Sequence, residues 1–353
     1  MSKSYSIPVE SITNLTDDSV CIKFNLKLCD STKFSFKSGQ YITIDHKIND
    51  VDVRRSYSIS SSPGQGLEIG VKLVENGVMS TFLTKELKEG DILKVMPPMG
   101  DFTLEVHPGN KKHYVGICSG SGITPILSMI RNVLMSEPKS SFTLIYGNKS
   151  ISSTMFFNEL RKFEKKYKNR FSIFPAYSRE NIKDCIEGRL DELSLKEFYN
   201  SNSDFIDADS YFICGPGNMI ESVSNFLDLS GIDKVNIHYE LFSSPAGAED
   251  VVEKVSEGNI LSNVTISVDG DDFEFELSQS GDSILDAAIE AGADVPYSCK
   301  GGVCSSCKAK IIEGSALMDI NYSLSEDDVE QGYILTCQAH PTSQNLYVDY
   351  DEM

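Results

Sequence analysis

Hydrophobic and polar residues alternate over short stretches in the first third of the chain. Four stretches show the pattern, at 19–24, 40–44, 67–72 and 91–95, and Gly, Pro, Asn and Asp residues separate them. Alternation with a period of two places successive side chains on opposite faces of a β-strand. Residues 1–107 are therefore predicted to form an antiparallel β-barrel, interrupted by one helix over 80–87.

The periodicity changes near residue 113. Apolar stretches alternate with segments of helical period, the former at 113–118, 142–146, 171–176 and 210–214, the latter at 125–135, 156–167 and 217–229. Such alternation is typical of a parallel sheet with helices on both faces. Residues 108–242 are predicted to form a doubly wound α/β nucleotide-binding domain.

The last third begins after a segment without clear periodicity. Residues 243–262 contain Pro245, two glycines and several acidic residues, which predicts a linker. A hairpin follows at 264–268 and 272–277, then a helix at 283–291 with Asp282 or Ser283 as N-cap and Gly292 just after its end. Residues 263–353 are predicted to form a separate domain of the β-grasp ferredoxin class, so the fold is multidomain, α+β and α/β.

Four cysteines in this last domain have a distinctive spacing. Cys299, Cys304 and Cys307 form Cys-x4-Cys-x2-Cys, and Cys337 follows after a gap of 29 residues. That spacing is typical of the ligands of a plant-type 2Fe–2S cluster. Structural zinc prefers two short cysteine knuckles, of which one is missing. Disulfides suit a secreted chain, and the odd total of nine cysteines disfavours them.

Charge is unevenly distributed along the chain. The formal net charge is −20, and residues 263–353 hold 18 acidic residues against three lysines, a difference of −15. An acidic face disfavours nucleic acid and anionic membranes and steers a basic protein partner, although plain solubility is an alternative reason for it. The chain contains no apolar run of about 18 residues, so no membrane span is predicted. The first residues lack the apolar core of a signal peptide, which predicts a cytoplasmic location.

Three short segments carry candidate cofactor chemistry. In Arg55-Ser56-Tyr57-Ser58, the aromatic ring suits flavin stacking and the hydroxyl suits a hydrogen bond to the ring edge. Gly77-Val78-Met79-Ser80-Thr81 opens the predicted helix, where a glycine and two hydroxyls suit phosphate. Gly120-Ser121-Gly122-Ile123-Thr124-Pro125 leaves a strand and opens a helix, as in dinucleotide-binding turns. Proline replaces the third glycine that is usual in dinucleotide-binding turns, and the match to that motif is therefore partial. A tight strand–helix turn is the alternative interpretation of this segment.

These residues support a resemblance to a known family. Residues 1–242 resemble the ferredoxin–NADP reductase superfamily, whose Arg-x-Tyr-Ser and Cys-Gly-Pro motifs fall on Arg55, Tyr57 and Ser58 and on Cys214-Gly215-Pro216. The run 238–242 resembles that family's closing segment near the flavin. Segments 188–191, 296–304, 318–322 and 332–341 resemble the reductase components of bacterial phenylacetyl-CoA ring epoxidases.

The resemblance implies roles for individual residues. Tyr57 would pack on the isoalloxazine, Ser58 would bond near its N5, Cys214 would lie near the hydride-donating carbon, and Glu240 would border the same face. Arg55 would contact the flavin pyrophosphate. The other residues implied to bind FAD or the nicotinamide nucleotide are Ser56, Val71, Lys72, Gly77, Met79, Ser80, Thr81, Gly120, Gly122, Thr124, Pro125, Ser178, Arg179, Gly215, Pro216 and Phe242.

The expected activity follows from the chemistry of these groups. NAD(P)H delivers two electrons together, FAD divides them, and a 2Fe–2S cluster passes them singly to a separate protein. Ser178-Arg179 lies where related NADP enzymes bind the 2′-phosphate, which favours NADPH over NADH, although a surface arginine is more often simply solvated. The resemblance implies a di-iron oxygenase as partner, acting on a CoA thioester such as phenylacetyl-CoA. Two alternatives stay open. The partner could be another hydroxylase or an acyl desaturase, or the chain could be a carrier-only protein with inactive N-terminal domains.

Overall fold

The computed structural model describes residues 4–28, 30–202, 205, 207–242 and 260–352. One compact unit spans Tyr5–Phe242, and a second contains residues 260–352. Most of the predicted linker, 243–259, lies outside the described residues, and a strand already begins at Leu261. Within the described ranges, no helix has the length and apolar character needed to cross a bilayer.

The N-terminal part of the first unit is an antiparallel six-stranded barrel, as predicted. The strands follow the order β4-β3-β6-β1-β2-β5. Ile59, just after β4, pairs with Ile69 of β5 and joins the two ends of the sheet. Inward-facing side chains, mostly aliphatic, from the other five strands fill the core, and Val53 and Tyr57 of β4 pack against it. The strands are β1 (Tyr5–Thr16), β2 (Ser19–Phe24), β3 (Tyr41–Ile48), β4 (Val51–Ser58), β5 (Leu67–Lys72) and β6 (Ile92–Val95).

The predicted helix over 80–87 differs from the observed one. A short helix α1 (Val78–Thr81) starts two residues earlier, and the chain then widens into a π-helical turn over Phe82–Glu86. The early start follows from Gly77, whose carbonyl accepts a hydrogen bond from the backbone N–H of Thr81.

The rest of the first unit is a parallel six-stranded sheet, which confirms the doubly wound prediction. Strand order is β10-β9-β8-β7-β11-β12. The strands are β7 (His113–Ser119), β8 (Ser141–Asn148), β9 (Phe171–Tyr177), β10 (Ile186–Glu187), β11 (Ser210–Gly215) and β12 (Ile237–Leu241). The helices are α2 (Ile123–Ser136), α3 (Phe157–Lys166), α4 (Glu192–Ser201) and α5 (Gly217–Leu229).

The second unit has a mixed five-stranded sheet, in the order β14-β13-β19-β15-β17, and a two-stranded ribbon of β16 and β18. As predicted, Ser283 caps its first helix by accepting a hydrogen bond from Asp286 N at 3.2 Å, and Gly292 follows that helix with φ +91°. The strands are β13 (Leu261–Val268), β14 (Asp271–Ser278), β15 (Lys308–Glu313), β16 (Ala316–Met318), β17 (Tyr333–Leu335), β18 (Ala339–Pro341) and β19 (Asn345–Asp349), and the helices are α6 (Ile284–Glu290) and α7 (Glu326–Glu330).

Candidate functional site

The barrel and the nucleotide-binding sheet meet at Ser58 and Glu240. Ser58 is the last residue of β4, and Glu240 lies on the edge strand β12. The Ser58 hydroxyl donates a hydrogen bond to Glu240 Oε2 at 3.2 Å. Two residues that are 182 positions apart in sequence, and that the family resemblance placed at one flavin face, are therefore in direct contact.

Cys214 lies beside this pair. It is opposite Glu240 in the register of β11 and β12, and its side chain is fully buried. Burial raises the pKa of the Cys214 thiol well above its ordinary value, so the sulfur is neutral. Glu240 keeps some exposed surface, yet burial of its carboxyl group raises its pKa to about 8, while the hydrogen bond from Ser58 acts in the opposite direction. At neutral pH the site therefore presents an uncharged acid and an uncharged thiol.

The remainder of the Arg55–Ser58 motif lies within β4. Arg55 is exposed, and Tyr57 is on the same side of the strand and half-buried. Burial raises the pKa of the Tyr57 phenol, so its ring is neutral and partly surrounded by protein. Ser56 contacts Thr43 of the neighbouring strand through their hydroxyls at 3.2 Å. The contacts of this motif with a flavin stay a prediction.

The turn at Gly77 uses its hydroxyl groups internally. Ser80 Oγ accepts from Val74 N at 3.1 Å and donates to the carbonyl of Gly77, which also accepts from Thr81 Oγ1 at 2.7 Å. A Cβ atom on Gly77 would lie 2.5 Å from Ser80 Oγ, so the turn requires glycine here. Met79 is buried beneath the turn. Phosphate binding at this turn stays a prediction.

Val71 and Lys72 end the barrel strand β5. Val71 is fully buried in the barrel core. The Lys72 ammonium lies 3.6 Å from Asp18 Oδ1 and donates to the carbonyl of Ser153 at 3.2 Å. Lys72 thus connects the barrel to the loop after β8, and its cofactor role stays a prediction.

The glycine-containing turn after β7 packs tightly on the next strand. Gly120 has φ +56°, and a Cβ on Gly122 would lie 2.1 Å from the carbonyl oxygen of Cys214. Thr124 Oγ1 donates to the carbonyl of Ser121 at 3.0 Å, and Pro125 occupies the first turn of α2. Gly122 is therefore required by packing against β11, a reason that sequence inspection did not supply.

The remaining predicted nucleotide-binding residues lie on or just beyond strands of the same parallel sheet. Gly215 ends β11, and Pro216 is the N-cap of α5. Ser178 and Arg179 follow β9 and are exposed, and Phe242 follows β12 with 41% of its surface exposed. Ligands of open α/β sheets bind at the carboxyl edge of the strands. This arrangement supports, without testing, the contacts that were predicted for these residues.

The four cysteines of the second unit form two thiol pairs. Cys304 Sγ lies 3.1 Å from Cys299 Sγ, and the thiols of Cys307 and Cys337 are hydrogen-bonded to each other. The backbone N–H of Gly301 donates to Cys299 Sγ at 3.3 Å. Among the described residues, no three His, Cys, Asp or Glu side chains form a site for a single metal ion.

The donor set fits a 2Fe–2S cluster, which takes two cysteine sulfurs on each iron. A hydrogen bond from Cys304, together with backbone N–H groups, lowers the pKa of Cys299 to about 5, and a hydrogen bond from Cys307 lowers the pKa of Cys337. Donating these bonds, together with burial, raises the pKa of Cys304 and of Cys307. Thiolates are the form that binds metal, and N–H groups aimed at sulfur stabilise that form. Cys299 with Cys304, and Cys307 with Cys337, would hold the two irons.

One residue of this loop was missed by sequence reasoning. Gln338 Nε2 donates to the carbonyl of Lys300 at 3.1 Å and to that of Cys337 at 2.9 Å, which ties the fourth cysteine to the three-cysteine loop. Its position directly after Cys337 was the available signal.

Comparison with known proteins identifies all three parts of the chain. Residues 6–104 match the oxidoreductase FAD-binding domain, 117–225 the oxidoreductase NAD-binding domain, and 266–342 the 2Fe-2S iron-sulfur cluster binding domain. The chain is 37% identical to one of the subunits of the 1,2-phenylacetyl-CoA epoxidase of Escherichia coli (strain K12), over 99% of each protein. The chain belongs to the flavin- and 2Fe–2S-containing oxygenase reductases. The match to the cluster-binding domain decides between a 2Fe–2S cluster and the zinc and disulfide alternatives.

A second relative supports this family, and a solved structure shares its fold. The ferredoxin reductase component of 3-ketosteroid-9-alpha-monooxygenase from Rhodococcus rhodochrous is 30% identical, over 99% of this chain and 97% of that protein. Phthalate dioxygenase reductase has the same fold, with a TM-score of 0.59, 23% identity and 98% coverage of both chains. An oxygenase reductase of this family is an NAD(P)H-dependent oxidoreductase that uses FAD and a 2Fe–2S cluster.

Proposed function

We propose that this reductase draws electrons from NADPH and delivers them to a di-iron oxygenase that epoxidises phenylacetyl-CoA. The observation that carries the proposal is the 37% identity, over 99% of both chains, to a component of a phenylacetyl-CoA epoxidase. The contact between Ser58 and Glu240 supports an assembled flavin–nicotinamide site.

The chain's own residues bind and orient in this proposal. Bound FAD accepts an electron pair as hydride and releases electrons singly, which is what a 2Fe–2S cluster requires. Tyr57 would cover one side of the flavin ring, and Ser58 and Glu240 would present hydrogen-bonding groups at its edge. The neutral thiol of Cys214 would place no charge near the donor carbon. Arg179, exposed after β9, recognises the 2′-phosphate of NADPH.

The docking surface for the oxygenase is the acidic helix α7. Glu326, Asp327 and Glu330 are exposed on it. The helix is tied to the cluster loop, because Lys308, the residue after Cys307, forms an ion pair with Asp328 of α7 at 2.8 Å. Negative charge beside the cluster would attract a basic partner surface and orient it toward the electron donor.

Charge reversal tests the docking surface. The double variant Glu326→Lys/Glu330→Lys should raise the KM for the oxygenase roughly tenfold at low ionic strength, with a smaller effect at high salt. The matched control is Glu274→Lys/Glu276→Lys on β14, which also lies on exposed surface but at the opposite edge of the sheet. Equal effects of the two double variants would contradict docking at α7.

Reconstitution tests the proposed function. The holoprotein is mixed with NADPH and either the oxygenase components of a phenylacetyl-CoA epoxidase with phenylacetyl-CoA, or a 3-ketosteroid 9-alpha-monooxygenase with its steroid. Product formation is expected only in the first mixture, and product only in the second would overturn the proposal. Cys304→Ser should abolish product and cytochrome c reduction while sparing direct reduction of a flavin-linked dye.

A further inference from the structure

Helix α2 presents polar side chains to the barrel. Ser128, Arg131 and Asn132 are spaced i, i+3 and i+4, so they share one face of the helix. The Ser128 side chain is fully buried, and Arg131 is only 14% exposed. A face with this spacing usually contacts water, and here it contacts protein.

Ser128 and Asn132 make buried hydrogen bonds to the barrel. Ser128 Oγ donates to the carbonyl of Ser61 at 2.6 Å. Asn132 Nδ2 donates to Ser38 Oγ at 2.8 Å. Polar groups shielded from water hold their partners firmly, because a broken bond leaves an unsatisfied group inside the protein.

Arg131 joins three elements through one guanidinium group. Its Nη1 donates to the carbonyl of Ser60 at 2.8 Å and to Glu68 Oε2 at 3.2 Å. Its Nε and Nη2 donate to the two carboxylate oxygens of Glu159, each at 2.8 Å. A two-pronged arginine–carboxylate pair restricts direction as well as distance, which a single lysine bond does not.

The segments that these contacts join continue along the chain into the two halves of the proposed redox site. Ser60 and Ser61 follow Ser58, the residue at the predicted flavin edge, after the single intervening residue Ile59. Helix α2 begins directly after the Gly120–Gly122 turn, which packs on the carbonyl of Cys214. Displacement of α2 relative to Ser60 and Ser61 would therefore move the nicotinamide side of the site relative to the flavin side.

We infer that Arg131 and Ser128 are positioning residues that set the separation between the hydride donor and the flavin. The inference rests on the proposed placement of the flavin beside Ser58 and of the nicotinamide beside Cys214. Hydride transfer needs close approach of donor and acceptor, and a displacement of about 1 Å reduces such rates on the order of a hundredfold.

The test is single-turnover reduction of bound FAD by saturating NADPH in the full-length holoprotein. Arg131→Met is expected to slow flavin reduction roughly tenfold to a hundredfold, with FAD content and the apparent Kd of NADPH within about twofold of wild type. Arg131→Lys keeps the positive charge but loses the two-pronged pairing with Glu159, and it should give an intermediate rate. The deuterium isotope effect on hydride transfer should rise in step with the loss of rate.

The matched control is Arg161→Met. Arg161 pairs with Glu164 on the surface of α3 at 2.8 Å and should leave the rate unchanged. If Arg131→Met does not fold, Ser128→Ala removes the bond to Ser61 and should slow reduction severalfold. An unchanged rate in the folded variants, or loss of rate that follows loss of FAD, would overturn the inference. Absence of flavin reduction in the wild-type protein would instead overturn the proposed function.

Discussion

Glu240 predicts a pH dependence of stability that a single substitution removes. The carboxyl pKa is about 8 in the folded protein, against an ordinary value of 4.5. Below pH 4.5 the group is protonated in both the folded and the unfolded chain. As the pH rises from 4.5 to 8, the unfolded chain releases this proton and the folded chain retains it, so the folded state loses stability. Above pH 8 the penalty is constant.

The magnitude follows from the interval between the two pKa values. Each pH unit corresponds to about 1.4 kcal/mol, so the full interval corresponds to roughly 5 kcal/mol. Because Glu240 retains some solvent contact, we expect about half of this in practice. Glu240→Gln removes the titration and keeps the shape of the side chain.

The assay is urea unfolding of the full-length holoprotein at several pH values between 5 and 9, followed by flavin fluorescence, which reports on the Tyr5–Phe242 unit. The wild-type protein should lose about 2–3 kcal/mol relative to Glu240→Gln across this range. Ser58→Ala removes a hydrogen bond that lowers this pKa, so its loss of stability should extend to higher pH. Parallel pH profiles for wild type and Glu240→Gln would refute the reasoning.

Three further substitutions have expected outcomes. Arg179→Ala should raise the KM for NADPH roughly tenfold and that for NADH less than twofold; equal effects would remove its role at the 2′-phosphate. Ser283→Ala removes the cap of α6 and should cost about 1 kcal/mol in chemical unfolding of the second unit, whereas Ser280→Ala, at an exposed hydroxyl, should cost little. Tyr350→Phe breaks a buried 2.7 Å bond to Thr336, whose hydroxyl holds the carbonyl of Cys307 at 3.0 Å. It should destabilise this unit by about 1–2 kcal/mol and accelerate bleaching of the cluster; unchanged bleaching would contradict it.

The elements that sequence predicted well are those with local signals. Helix α5 begins at Gly217 and ends at Leu229 as predicted, because Pro216 and an apolar stripe define it. Strands β1 and β4 were not predicted. Pro8 lies inside β1 and is atypical of a strand interior. The outer face of β4 is charged, although Asn49 and Asp50, both with positive φ, are a hairpin-turn signal that was available.

Helix α4 was also missed, and its signal was a capping box. Asp191 accepts from Ser194 N at 2.9 Å, while Ser194 Oγ accepts from Asp191 N at 3.0 Å. Cysteine spacing predicted the 2Fe–2S cluster without tertiary information, because three of the four cysteines lie in one loop. Ser128 and Arg131 could not be found in this way. Polar residues with helical spacing have the same pattern whether they contact water or a neighbouring domain, and only the folded chain distinguishes the two.

The close approach of Gly122 to Cys214 restricts how coenzyme preference can be redesigned. Even alanine at position 122 would force the β7–α2 turn away from β11, since its methyl carbon would come within 2.1 Å of a backbone oxygen. Ser178 and Arg179 are exposed and fill no core. A library that aims to change the preference between NADPH and NADH should therefore vary the loop after β9 and leave the glycine turn untouched.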